Sequence, residues 1–139
     1  MREKLFEERV KRFLESVGIY RLGTAKDQMP IEPKGYWLKR WGGSKYIPAG
    51  VPDMQIVIGV FNVDVELKNE RGKVDPMQVQ KLRQIRESGG YAVLLRPKDF
   101  DAFKEFVRWA ITRSDQLKAT GEVGRCDIGA GELFANRDV

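Results

Sequence analysis

The chain has 139 residues, 42% of them hydrophobic and 32% charged, which supplies the core of one domain and leaves little length for a second. Lys and Arg number 25 against 20 Asp and Glu, a net charge of +5, and there is no histidine and a single cysteine, Cys126. Ser-His-Asp and Cys-His triads, His-ligated zinc, internal disulfides and cysteine-cluster metal sites are thereby excluded, so any chemistry falls to carboxylates, Lys, Arg, Tyr, Ser or Thr, with a hard metal ion at most.

Residues 3–17 predict a helix. Leu5, Phe6, Val10, Phe13, Leu14 and Val17 cluster on one side, and Gly18 is a ready stop. This start has no apolar stretch of signal-peptide type, and no run in the chain approaches the ~20 apolar residues of a membrane span, so a cytoplasmic protein is expected. Residues 19–50 have no clean period. They are rich in Gly and Pro, hold most of the net positive charge, and read as a short strand or two joined by loops. DMQIVIGV and FNVDVELK, within 53–68, predict a β-hairpin turning at Gly59. Along its second strand Phe61, Val63, Val65 and Leu67 share one face, and Asn62, Asp64, Glu66 and Lys68 the other. Asp75-Pro76 opens a helix to about Ser88, with Gln78 three residues after the cap, and Gly89-Gly90 ends it. Residues 91–95 form a short apolar strand, expected to be buried and parallel to a neighbour. Phe100, Phe103, Val107, Ala110 and Ile111 mark a last helix, 99–113, and a mobile tail is expected over 114–139. The expected fold is α/β, a mixed central β-sheet flanked by helices in the order α-β-β-β-α-β-α.

Three polar features fall where a fold alone would not ask for them. Asp53 follows Gly50-Val51-Pro52 at the mouth of an apolar strand, and Glu66-Leu67-Lys68 lies at the far end of its partner. A hairpin returns its ends to one another, so Asp53 and Glu66 should be neighbours with Lys68 on the face of Glu66. Two carboxylates and a lysine at one sheet end fit Mg²⁺ or Mn²⁺, which take oxygen ligands and need no histidine. Glu7, in line with Val10 and Leu14, can reach the sheet edge and complete the shell, and Gln78 shares a helical face with Leu82 and Ile85. Each has a bland reading too: Asp53 as a turn cap, Glu66 and Lys68 as a solvated strand face, Glu7 as a surface residue, and Gln78 as half of a capping pattern.

Gly50-Val51-Pro52-Asp53, then Glu66-Leu67-Lys68, then Pro76-Met77-Gln78, resembles the PD-(D/E)xK nuclease superfamily and, more narrowly, the small stand-alone VRR-NUC members of phages and bacteria. The likeness runs from Glu7 to about Phe106. It implies a restriction-endonuclease-like core over residues 1–113, in a bacterial or phage-infected cell, and Mg²⁺- or Mn²⁺-dependent cleavage of DNA. Stand-alone members look like Holliday-junction resolvases working as homodimers, and a related module of the Fanconi-associated nuclease acts on branched or flapped DNA. Under this resemblance Asp53, Glu66, the Leu67 carbonyl and Glu7 would hold the metal, Lys68 would orient or deprotonate the attacking water, and Gln78 would hold that water or a phosphate oxygen.

Residues 24–48 form a basic and aromatic insertion relative to that pattern. Lys34, Lys39, Arg40 and Lys45 alternate there with Tyr36, Trp37, Trp41 and Tyr46, a composition suited to phosphates and unpaired bases. The same tryptophans, at helical spacing, can equally pack on the core or across a dimer interface. Other readings stay open: a flap- or nick-directed monomer, or a non-catalytic DNA-binding module of nuclease-like fold.

Overall fold

A computed structural model describes residues 2–40 and 50–121. Helix α1 spans Glu3–Ser16, and strands β1 (Ile19–Arg21), β2 (Gly35–Lys39), β3 (Met54–Ile58) and β4 (Phe61–Leu67) follow. Helix α2 (Pro76–Glu87), strand β5 (Tyr91–Leu95) and helix α3 (Phe100–Ala119) complete the helices and strands of the described residues. The five strands form one sheet in sequence order. The β1–β2 and β4–β5 pairs are parallel, and β2–β3 and β3–β4 antiparallel. The architecture is therefore mixed α/β, a five-stranded mixed sheet flanked by helices.

Alternation along the strands divides the molecule. Trp37, Ile56, Val63 and Val65 face one side and join Phe6, Val10 and Phe13 of α1 and Phe103, Val107 and Ala110 of α3 in a continuous core. Phe100 stands edge-on to Phe6 and Phe13, with ring centroids 5.5 and 6.0 Å apart, and fastens the two helices together. The opposite face carries Gln55, Asn62, Asp64 and Glu66. Helix α2 crosses it from β4 to the parallel β5, burying Leu82 and Ala92 apart from the main core.

The hairpin forms as its sequence predicts, with Ile58 opposite Phe61 and a two-residue turn at Gly59-Val60. Strand β5 is parallel to β4 as expected, but it is an edge strand whose Tyr91 is exposed. Two expectations are corrected. Among the described residues four strands, not three, precede α2, because residues 35–39 inside the supposed insertion form an interior strand of the sheet. The last helix does not stop at residue 113: it continues to Ala119, with Ser114 buried beneath Gly59. A serine in the packing stripe hides the periodicity from a reading of apolar residues alone. The remainder of the expected tail, 122–139, lies outside the described residues. Among the described residues no helix is long and apolar enough to cross a membrane.

Candidate functional site

The mouth of the β3–β4 hairpin draws Asp53 and Glu66 together through the backbone. The Asp53 amide donates to Glu66 Oε2 at 3.2 Å, and the Leu67 amide donates to Asp53 Oδ2 at 3.2 Å. Each carboxylate thus accepts a bond from the other strand. Upstream, the Arg40 amide donates to the Asp53 carbonyl at 2.6 Å and extends the sheet pairing to this level. Gly50, at φ +80, sits so close to the Met77 backbone that a β-carbon there would lie 2.8 Å from its carbonyl. A glycine is what allows the Gly50–Asp53 segment to reach the first turn of α2.

That turn delivers Gln78. Asp75 caps α2 by accepting from the Met77 amide at 2.8 Å, and Gln78 Oε1 accepts from the Asp75 amide at 3.0 Å. The other end of the same amide, Nε2, donates to Glu66 Oε1 at 2.7 Å. One side chain thus both closes the helix cap and contacts Glu66. Lys68, next on the face of Glu66, is near enough to act on it electrostatically.

Glu66 is only 1% exposed. Burial, followed by the Asp53 carboxylate beside it, pushes its carboxyl up to about 8, and Lys68 offsets this only in part. A divalent cation between Glu66 and Asp53 would relieve the crowding of negative charge at the buried Glu66 carboxyl. Magnesium characteristically takes one or two protein carboxylates and fills its shell with water and substrate oxygens. The donor set at the hairpin mouth fits Mg²⁺ or Mn²⁺ on those terms, although among the described residues no three Asp, Glu, Cys or His side chains gather as a metal cluster.

No family model and no curated protein matches the chain.

Glu7 does not join the pair, which corrects the expectation of three acids in one pocket. It lies on α1, on the core side of the sheet, where Lys39 Nζ approaches its Oε1 at 2.6 Å and Lys11 Nζ its Oε2 at 3.2 Å. Burial alone would raise its carboxyl, but hydrogen bonds and charge from Lys39 and Lys11 outweigh it and hold Glu7 below the usual carboxylate value. The reason for the miss is alternation. Glu66 faces away from the residues that meet α1, so a helix on the core side does not share its pocket.

The described residues among those suggested for DNA contact have other partners. Trp37 is 3% exposed and belongs to the core, so it is not a stacking platform. Its buried indole N–H has no acceptor among the described residues, while Lys11 Nζ stands 5.3 Å from the ring centroid. Lys34 pairs with Asp115 at 3.1 Å and with Glu32 at 3.7 Å; it draws the start of β2 to the end of α3, and Asp115 raises its pKa. Lys39 holds Glu7, and Arg40 pairs with Asp64 at 2.7 Å. Trp41, Lys45 and Tyr46 lie outside the described residues.

The sequence reading missed the role of Asp64. Arg40 reaches it, Gln55 at 3.1 Å and the Pro52 carbonyl at 3.2 Å, one residue before Asp53. Arg40, Pro52 and Asp64 of this network line a cleft of about 550 Å³ between the sheet and Lys81, Gln84 and Ile85 of α2, beside the hairpin mouth. The signal was present, since Asp64 shares a strand face with Glu66. Only the position of β2 shows that an arginine answers it.

Proposed function

We propose that this chain is a Mg²⁺- or Mn²⁺-dependent deoxyribonuclease of the PD-(D/E)xK superfamily, akin to its VRR-NUC branch and built on a restriction-endonuclease-like core. It hydrolyses phosphodiester bonds in branched DNA. The observation that carries this reading is the meeting of Asp53, Glu66, Lys68 and Gln78 at one sheet end, with Glu66 and Gln78 in contact at 2.7 Å.

Asp53 and Glu66 would hold the cation, with the Leu67 carbonyl a further oxygen. A bound cation supplies Lewis acidity at the scissile phosphate and a more acidic water. Glu66 must lose its proton to bind, and Lys68 favours that loss. Lys68 then stands where it can orient the attacking water and balance charge on the phosphate. Gln78, anchored through its oxygen to the helix start, holds the free side of Glu66 and fixes the carboxylate plane. Glu7 acts from behind the sheet as a positioning residue: it ties α1 to Lys39, whose neighbour Arg40 is bonded to the Asp53 backbone.

A four-way junction presents two strands to be cut, and a homodimer supplies two sites at a fixed separation. We therefore place a Holliday junction first among substrates and a flap or nick, which one site can serve, second. The test is a panel of labelled duplex, flap, splayed-arm and four-way DNA incubated with Mg²⁺ and with Mn²⁺, alongside Asp53→Asn and a mass by light scattering. Divalent-dependent cutting of branched DNA that Asp53→Asn abolishes is the expected result. Cutting that survives the substitution removes the assignment.

A further inference from the structure

We infer that the groove between α1 and α3, on the opposite side of the sheet from Glu66, is a second DNA contact that takes the phosphodiester backbone of a duplex arm. The inference deepens the nuclease reading, on which it rests for the identity of the polyanion.

The groove holds about 410 Å³ and is lined by Arg9 and Arg12 from α1 and by Lys104 and Arg108 from α3, above the rings of Phe13 and Phe100. Its lining contains no acidic side chain. Spacings of three residues on α1 and four on α3 put each pair of cations on one helical face, one turn apart. The phenyl rings are nearly buried, at 8% and 5% exposure, and form a floor. Lys104 Nζ lies 4.4 Å from the Phe100 centroid and 5.7 Å from that of Phe13, Arg9 lies 5.5 Å from Phe100, and Arg108 5.3 Å from Phe13.

Cation–π contacts of this kind hold the heads in place, but they neutralise nothing. Lys11, on the same helix as Arg12, is answered by Glu7 and Glu8. Arg12, Lys104 and Arg108 make no ion pair with any described residue. Several like charges gathered over an apolar floor repel one another, and a repeating anion is the complement that relieves them. Duplex DNA carries one negative charge per about 1.7 Å of its axis, so the ~10 Å between packed helices faces several phosphates. Because the sheet lies between this groove and Glu66, the arm held here is a different stretch of nucleic acid from the one at the hairpin mouth. A branched substrate supplies both.

The experiment uses the full chain in EDTA, so that binding is read without cleavage. Anisotropy of a fluorescein-labelled four-way junction is followed across a salt series for the parent, for Arg12→Gln and for the triple change Arg12→Gln, Lys104→Gln, Arg108→Gln. The slope of log K against log salt should flatten by about 0.9 for the single change and by roughly 2–3 for the triple. Affinity of the triple at ~0.1 M salt should fall tenfold or more. Arg12 touches neither ring, so the single change keeps the test valid if the triple fails to fold. An unchanged slope in a parent that binds and cuts DNA overturns this inference and leaves the nuclease reading standing. A parent that binds no DNA at low salt overturns both. Loss of binding to phosphatidylserine vesicles with the DNA slope intact assigns the groove to a membrane surface and overturns it as well.

Discussion

At Glu66 two demands oppose each other. Folding buries the side chain beside a second carboxylate, which favours the protonated form, whereas ligation needs the anion. Lys68 and the amide of Gln78 are the groups at hand to reconcile them. Removing either the ligand or the neighbouring ammonium should therefore be severe: Glu66→Ala and Lys68→Ala are each expected to slow Mg²⁺-dependent cleavage by at least ~100-fold, a loss typical of removing one preorganised charged group, with binding in EDTA retained. Single-turnover cleavage and anisotropy on the same junction check this, and a Lys68→Ala enzyme within a few-fold of the parent would retire the lysine's role. The carboxylate pair was legible in the sequence because a hairpin and a two-residue period fix which residues meet. Glu7 and Trp37 were not, because their neighbours depend on which side of the sheet α1 occupies, and no local pattern encodes that.

Among the elements, α2 links stability to the site through one side chain. Gln78 closes the capping box with Asp75 and simultaneously bonds Glu66, so the helix start and the proposed metal ligand share a support. Asp75→Ala should cost about 1 kcal/mol from the lost cap and also reduce the cleavage rate constant, although Asp75 itself touches no substrate. Urea melts with single-turnover rates test it; a stability loss with unchanged rate would show that Gln78 holds Glu66 without the cap. The hairpin turn is a second such junction. Gly59 has φ +59, and a β-carbon there would overlap Ser114 on α3. Gly59→Ala should destabilise by about 1–3 kcal/mol, combining left-handed backbone strain with overpacking. Adding Ser114→Ala should recover part of that loss, and a strictly additive double-mutant cycle would show that the two do not meet. The length of α3 was hidden for the same reason: a small polar residue completes its packing stripe, and its meaning appears only against the glycine it covers.

Over the whole molecule, two glutamates on opposite sides of one sheet, Glu66 buried and Glu7 half-buried, titrate in opposite senses. Glu7 is held low by its two lysines, so its contribution to stability is present above about 4.5 and is lost as pH falls through its lowered value. Glu66 is raised to about 8, so its contribution is complete below about 4.5 and drains away as pH climbs to about 8, where the folded state also ionises. The two together give the metal-free protein a stability that falls on either side of mildly acidic pH. Glu66→Gln keeps the amide-sized side chain without the titration, and should flatten the alkaline fall between about pH 4.5 and 8. Glu7→Gln should flatten the acid limb and leave the alkaline one. Cation binding requires the Glu66 proton to leave, so Mn²⁺ affinity should rise with pH and level off near 8, with about one proton released per ion below that point. Thermal melts in EDTA across the pH range, paired with calorimetric Mn²⁺ titrations in buffers of different ionisation enthalpy, read both effects. An alkaline limb that persists in Glu66→Gln, or an Mn²⁺ affinity flat from pH 6 to 8, would show that the buried carboxyl at the hairpin mouth is not the group that couples folding to metal.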